Sequence, residues 1–303
     1  MIHQINYPNI FFITTDPQEI EKEKQRVIDL NNIDSILVKK MTKVVFEGPE
    51  ILKELYFGVQ KSTVMGILGP NQSHKTTLMN IISGLETRSY GTVKLKGMEQ
   101  EELSSTDLID VGIHTDHHPI WEHLTLKDHL KIYSLLKGRP SSNTTERAID
   151  LFIQRMNLSE FKFVPLKQLS SQAKKKVALA MALIGSPSVV IIDDLSSLDL
   201  STRKFVKEVL KTLVAERQAS VLTTLRSMAE AETLCDKIAI IVNGRICSLG
   251  YVPQMKVRFA KSFKLTVIKH FENDGSLEQT VMHFFPDAAL VPSTDPCEEV
   301  FEV

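Results

Sequence analysis

The run Gly69-Pro70-Asn71-Gln72-Ser73-His74-Lys75-Thr76-Thr77 has the residue types and spacing to hold a phosphate. It follows the pattern G-x-x-x-x-G-K-[ST] with one departure: His74 stands where the second Gly belongs. In such a loop consecutive backbone N–H groups curl around the anion, and the following helix aims its positive end at the same charge. Lys75 would reach the outer phosphates and the Thr76 hydroxyl would ligate Mg2+. Gly is favoured where backbone approaches a ligand or takes a positive φ. The His74 side chain therefore either obstructs the phosphate or, protonated, donates to it.

The flanking residues supply the context this chemistry needs. Thr63–Leu68 is an apolar strand candidate, and Leu78-Met79-Asn80-Ile81-Ile82 opens a helix. Strand signals cover Ser35–Phe46, Leu52–Val59, residues 92–96 and about 107–113. A helical pattern from Leu126 to Met156 breaks near Gly138–Ser142, and another helix covers about 171–184. Val189–Ile192 reads as a fully buried strand. Helix 200–216, strand 220–224, helix 228–235 and strand 237–242 complete the series. The expected fold is α/β: a P-loop NTPase core of parallel sheet with flanking helices, an antiparallel β subdomain and a helical lobe, then a small partial C-terminal α+β piece. Residues 1–34 form a leader and a charged connector helix starting near Pro17, 35–255 the main domain, and 256–303 a β-α-β extension with a helix at 276–285.

Composition narrows the function. With 36 basic and 37 acidic residues the net charge is −1, so no nucleic-acid footprint is expected. The triplet Lys174-Lys175-Lys176 reads as a solvated helix face. Three widely spaced Cys without a C-x-x-C argue against a disulfide framework and for a reducing compartment. The longest uncharged run, Val177–Ile192, has 16 residues and is interrupted by Gly185–Ser188, short of the roughly 20 needed to cross a bilayer. His114, His117, His118 and His123 cluster, but a loop without Cys reads as solvated histidines rather than a zinc site.

By motif order, residues 35–255 resemble the nucleotide-binding domain of ATP-binding-cassette (ABC) transporters. Ala180–Gly185 with Pro187, Ile240–Arg245 and the upstream Glu23-Lys24-Gln25-Arg26-Val27 are similar to the A subfamily, the large lipid exporters. The resemblance implies two cassettes paired head to tail around two ATP molecules, each site completed by the other domain's signature motif. It places Asp193 on Mg2+, Phe46 against adenine, and Ser170 of the signature Leu169-Ser170-Ser171-Gln172 on a γ-phosphate across the interface. Several stations depart from the family pattern. Asp194 occupies the general-base position normally held by Glu; its carboxylate sits about 1.5 Å further back. Leu195-Ser196-Ser197-Leu198-Asp199 is one residue short, which should displace Asp199. Leu225 replaces the switch His, with Arg226 inserted after it as a stand-in charge of different geometry. Asp116 replaces the glutamine-loop Gln, and the signature has lost both Gly.

The resemblance implies ATP and Mg2+ as ligands, and the departures from the pattern imply weak binding and impaired hydrolysis. It implies a transmembrane domain or another ABC half and a second cassette as partners, without nucleic acid. The location is the cytoplasmic face of a membrane, or the cytosol if the chain is expressed alone. Alternative readings are an active ATPase driving lipid transport, a non-catalytic regulatory cassette, a cassette acting on ribosomes or DNA, and a fragment of a longer transporter.

Overall fold

Short apolar strands alternate with amphipathic helices and stack into the expected layers in the computed structural model. It describes residues 5–6, 17–29, 33–45, 48–115, 120–195, 198–259, 264–268, 289–291 and 298–302. In chain order the first elements are β1 (Ile5–Asn6), α1 (Pro17–Ile28), β2 (Ile36–Val44), β3 (Glu50–Val59), β4 (Val64–Leu68), α2 (Lys75–Ser83), β5 (Tyr90–Leu95) and β6 (Met98–Glu99). Then come α3 (Ser105–Leu108), β7 (Val111–His114), α4 (Leu126–Leu136), α5 (Asn143–Arg155), α6 (Ser171–Leu183) and β8 (Val189–Ile192). The remainder are α7 (Leu200–Arg217), β9 (Ser220–Leu225), α8 (Met228–Leu234), β10 (Lys237–Val242), β11 (Arg245–Tyr251), α9 (Val252–Phe259), β12 (Lys264–Ile268), β13 (Ala289–Val291) and β14 (Glu298–Glu302).

Two compact units result: residues 15–252, and residues 1–14 together with 253–303. The larger holds a six-stranded sheet in the order β11-β10-β4-β9-β8-β7. Strands β10, β4, β9, β8 and β7 run parallel, and β11 closes one edge antiparallel. A second sheet, β3-β2-β5-β6, is antiparallel throughout. Between the sheets lies α2, whose Leu78, Met79, Ile81 and Ile82 are fully buried in one cluster with Phe57, Met41, Ile67, Ile191 and Leu222. The P-loop helix is therefore wedged in the core. Level strand ends complete the scaffold: Leu68 pairs with Leu225, and Ile192 with Thr223. The loops after β4, β9 and β8 thus open on one crevice at the carboxyl edge, where α/β sheets bind ligands.

Helix α1 packs on β2, β3 and β11, and its anchor is ionic. Glu23, 6% exposed, accepts from Arg26 at 2.9 and 2.7 Å, from Lys237 at 3.0 Å and from the Gly58 N–H at 3.1 Å. Arg26 also reaches Asp34 at 2.7 Å. Gly58 is required here, because a Cβ would lie 1.8 Å from Asp34 Oδ2. Burial raises the Glu23 carboxyl, but the bonds from Arg26 and Lys237 outweigh that and hold it below its ordinary value.

Several expectations need correction. The strand expected at 107–113 begins only at Val111, because Ser104 and Asp107 form a capping box that starts α3 instead. The edge strand β11 was not expected; it follows β10 through Asn243–Gly244, both with positive φ (49° and 75°). Lys176 is not on a solvated face: it is 9% exposed and pairs with Asp199 at 2.6 Å. His114 is also buried, at 3%. The smaller unit forms the sheet β1-β12-β14-β13, with all pairings antiparallel. The helix expected at 276–285 lies outside the described residues.

Candidate functional site

A pocket of about 360 Å3 opens at the carboxyl edge, lined by Asn71, Gln72, Ser73, His74, Lys75, Thr76, Thr77, Asp193, Asp194, Thr224, Leu225 and Arg226. The loop after β4 turns through two left-handed residues, Gln72 (φ 72°) and His74 (φ 60°), the alternation that turns backbone amides into a concavity. For His74 this conformation costs about 1 kcal/mol, a cost the Gly of the pattern would avoid. Gly69 leaves no room for a side chain, since a Cβ would meet the Ile241 carbonyl at 2.3 Å. The Lys75 amine folds onto its own loop, donating to the carbonyls of Gly69 (2.7 Å) and Pro70 (2.8 Å) and to Ser73 Oγ (3.2 Å). Burial pulls that amine below its ordinary pKa; Asp193 and Asp194 act upward and Arg226 downward.

Helix ends distinguish the loop further. Ser104, Thr125, Ser142, Ser170, Asp199 and Ser227 each accept a backbone N–H at the start of their helices. Helix α2 begins at His74 without a capping side chain, leaving its first-turn donors for an anion. Thr76 is exposed at that end and lines the same pocket as Asp193, which follows buried β8 at 5% exposure. A hydroxyl and a carboxylate suit a hard divalent cation. The donor set fits a Mg2+-bearing phosphate chain, with Thr76 and Asp193 as the metal's oxygen ligands.

The residues after β8 are tied to the end of β9. Thr224 Oγ1 donates to Asp193 Oδ1 at 2.6 Å and accepts from the Asp194 N–H at 2.9 Å. Asp194 itself is left-handed, at φ 51°. The Leu225 side chain is in the core at 3% exposure, close against Gly66. Arg226 donates to Asp194 Oδ2 at 2.6 Å. Asp199 caps α7 and is held well below the carboxylate range: burial acts upward, and bonds from Lys176, Ser201 and Thr202 prevail. The signature residues stand apart on the helical lobe. Leu169 is buried, Ser170 caps α6 by accepting from the Ala173 N–H at 3.2 Å, and Ser171 and Gln172 are exposed. Phe46, Asp116, His117, His118, Ser196 and Ser197 lie outside the described residues. Among the described residues no group of three or more His, Cys, Asp or Glu is arranged to hold a metal.

Two features were not anticipated. His129, fully buried, accepts from the Trp121 N–H at Nε2 (2.9 Å) and bonds the Thr125 carbonyl through Nδ1 (3.1 Å), which fixes it as the neutral Nδ1–H tautomer. Burial lowers its pKa in the same sense. The i, i+4 spacing of Thr125 and His129 was its sequence signal. The second feature is an apolar groove of about 490 Å3 bounded by α3, β7, α4 and α6, with Leu85, Leu108 and Leu136 more than 40% exposed at its margin. Lys137 lies along it, donating to the Val111 carbonyl at 3.1 Å; burial drives its amine down to about 8. Folding therefore expels a proton from this group between pH 8 and its ordinary 10.5, so its penalty is complete below about pH 8 and fades toward 10.5. Lys137→Met is expected to stabilise by about 1 kcal/mol at pH 7, or roughly 2–4 °C in Tm, with the gain shrinking above pH 10. Thermal melts at pH 7, 9 and 10.5 measure this.

The ABC transporter domain family matches residues 52–197. Cholesterol transporter ABCA5 of Homo sapiens is 28% identical over 263 residues, covering 84% of this chain and 16% of the relative. ABC transporter A family member 8 of Arabidopsis thaliana is 30% identical over 289 residues, covering 91% and 31%. The chain thus spans less than a third of the length of either relative. Among solved structures, the ATP-binding subunit of an ABC transporter superposes with a TM-score of 0.67 at 23% identity, covering 74% of this chain and 92% of that one. A dimeric ATP-binding cassette in a post-hydrolysis state, bound to ADP and Pi, gives 0.64 at 20%, covering 72% and 98%. These likenesses establish a shared fold.

Proposed function

Because the chain carries an ABC transporter ATP-binding cassette of the A subfamily, we propose that it binds Mg-ATP weakly, hydrolyses it poorly and couples to a membrane partner. One observation carries the reading: Lys75, Thr76 and Asp193 converge on a single pocket at an uncapped helix start, while Leu225 is withdrawn into the core. The groups that grip phosphate and metal are present, whereas Leu225 stands at the switch position and Asp194, shorter than the Glu of the family pattern, is held by Arg226. In this reading the Gly69–Thr77 loop holds the phosphates, Thr76 and Asp193 ligate Mg2+, Asp194 stands at the general-base position, and Ser170 meets a second cassette's nucleotide.

The partner is a transmembrane domain, in this chain or another, and a second cassette completes the sites. Support comes from the relatives, described as transporters, and from a structural neighbour described as a dimer. No helix among the described residues is long and apolar enough to cross a membrane. The exposed apolar groove over α3, α4 and α6 is of the kind that marks an interaction surface, and it is where a membrane partner would seat. We extend the proposal to a lipid cargo, supported by a relative described as a cholesterol transporter, and to the cytoplasmic face of a membrane as location.

Thermal melts with Mg-ATP test the binding step. At nucleotide one-hundredfold above Kd, stabilisation amounts to about 2.7 kcal/mol, or roughly 5–10 °C for a domain of this size. Lys75→Ala is expected to abolish that shift while leaving the unliganded Tm within a few degrees. A shift preserved in Lys75→Ala, or absent from wild type, would remove the loop from the account.

A further inference from the structure

Successive side chains of a strand point to opposite faces, as Thr224 and Leu225 do at the end of β9, and Arg226 follows in the bend beyond the strand. Thr224 faces the pocket, bonded to Asp193 and to the Asp194 N–H. Leu225 faces the core. Arg226, the next residue, returns to the pocket wall and rests on Asp194 at 2.6 Å. Its main chain is fixed: the Arg226 N–H donates to Glu230 Oε2 at 3.2 Å, Glu230 pairs with Arg203 at 3.6 Å, and Ser227 caps α8. The root of the side chain is anchored while the side chain as a whole remains 62% exposed.

We infer that Arg226 distinguishes nucleoside triphosphate from diphosphate in this pocket, resting on Asp194 until a terminal phosphate takes its guanidinium. The inference rests on the nucleotide-binding reading above. Exchange is favoured because an ion pair this open to water contributes little, whereas a guanidinium fork on phosphate makes two short charge-assisted bonds. The same exchange uncovers the Asp194 carboxylate only when triphosphate is present.

Isothermal titration of the full chain with Mg2+ and either ADP or a non-hydrolysable ATP analogue tests this. Wild type is expected to prefer the triphosphate. Arg226→Gln should weaken the triphosphate about tenfold and leave ADP within about twofold, the loss expected for one charged hydrogen-bonding partner. Arg226→Lys should recover part of the preference, and Asp194→Asn should tighten the triphosphate several-fold by releasing the guanidinium. An unchanged triphosphate-to-ADP ratio in Arg226→Gln, with both ligands still bound, overturns the inference and leaves nucleotide binding intact. Equal weakening of both ligands overturns it too, as a general phosphate contact. A wild type that binds neither removes the inference and the functional reading together.

Discussion

Purified chain supplied with Mg-ATP is expected to release phosphate on the order of ten-thousandfold more slowly than an intact ABC cassette assayed beside it. In the proposed reading three groups that would stabilise the transition state depart from the family pattern: Asp194, Leu225 and the signature Leu169-Ser170-Ser171-Gln172. If each contributes roughly 2 kcal/mol, their joint loss is about four orders of magnitude, with non-additivity making this a scale rather than a sum. Geometry explains why no neighbour compensates. Asp194 is one methylene short of Glu and is engaged by Arg226 at 2.6 Å, and an error of about 1 Å can cost on the order of a hundredfold. Leu225 offers no imidazole and is turned into the core. Asp194→Glu alone is therefore expected to leave turnover within about tenfold of wild type. Adding an intact second cassette should not rescue it, because Leu169-Ser170-Ser171-Gln172 lacks the Gly residues that let backbone approach the partner's phosphate. Turnover within tenfold of an ordinary cassette would contradict the impaired-hydrolysis reading outright.

Glu23→Ala is expected to cost about 3 kcal/mol and roughly 6–12 °C in Tm. The carboxylate is the hub between α1, β3 and β10, and its removal strips one partner each from Arg26, Lys237 and the Gly58 N–H. Two half-buried cations then lose the anion between them, the situation in which breaking a buried pair is most costly. Arg26 retains Asp34, which keeps the loss near the lower end of the range for buried pairs. The pH dependence has a definite sign. Because the folded-state pKa lies below the ordinary 4.5, the stabilisation is complete above about pH 4.5 and is lost as pH falls through the folded value. Denaturant melts of wild type and Glu23→Ala should converge in acid and separate above pH 5; Glu23→Gln should fall between them. Equal stability at pH 7 would show that the network is dispensable.

Much of the core could be read from residue order. Strand–loop–helix around Gly69–Thr77, the buried run Val189–Ile192 and the helices from 126 to 217 all have periodicities that burial enforces. The edge strand β11 has a signal in the sequence: Asn243–Gly244 between apolar runs is the short-turn pair of a hairpin. The late start of β7 was also encoded, in the Ser104–Asp107 box. What stayed hidden depends on distance in space. Lys176 looks like one of three equivalent lysines until Asp199 is brought beside it from 23 positions away. The Arg226–Asp194 pair joins the bend after β9 to the residues after β8 across 32 positions, and no composition or motif order records that they meet.

The smallest sheet has a practical consequence. β1 pairs with β12, so Ile5 lies opposite Leu265 and Asn6 opposite Lys264, and one short ladder holds residues 5–6 to the smaller unit's sheet. An affinity handle or a protease cut placed near the amino end therefore acts on the carboxyl-terminal unit. Losing those first few residues bares the outer rail of β12, with hydrogen-bonding groups left to recruit whatever extended peptide comes by.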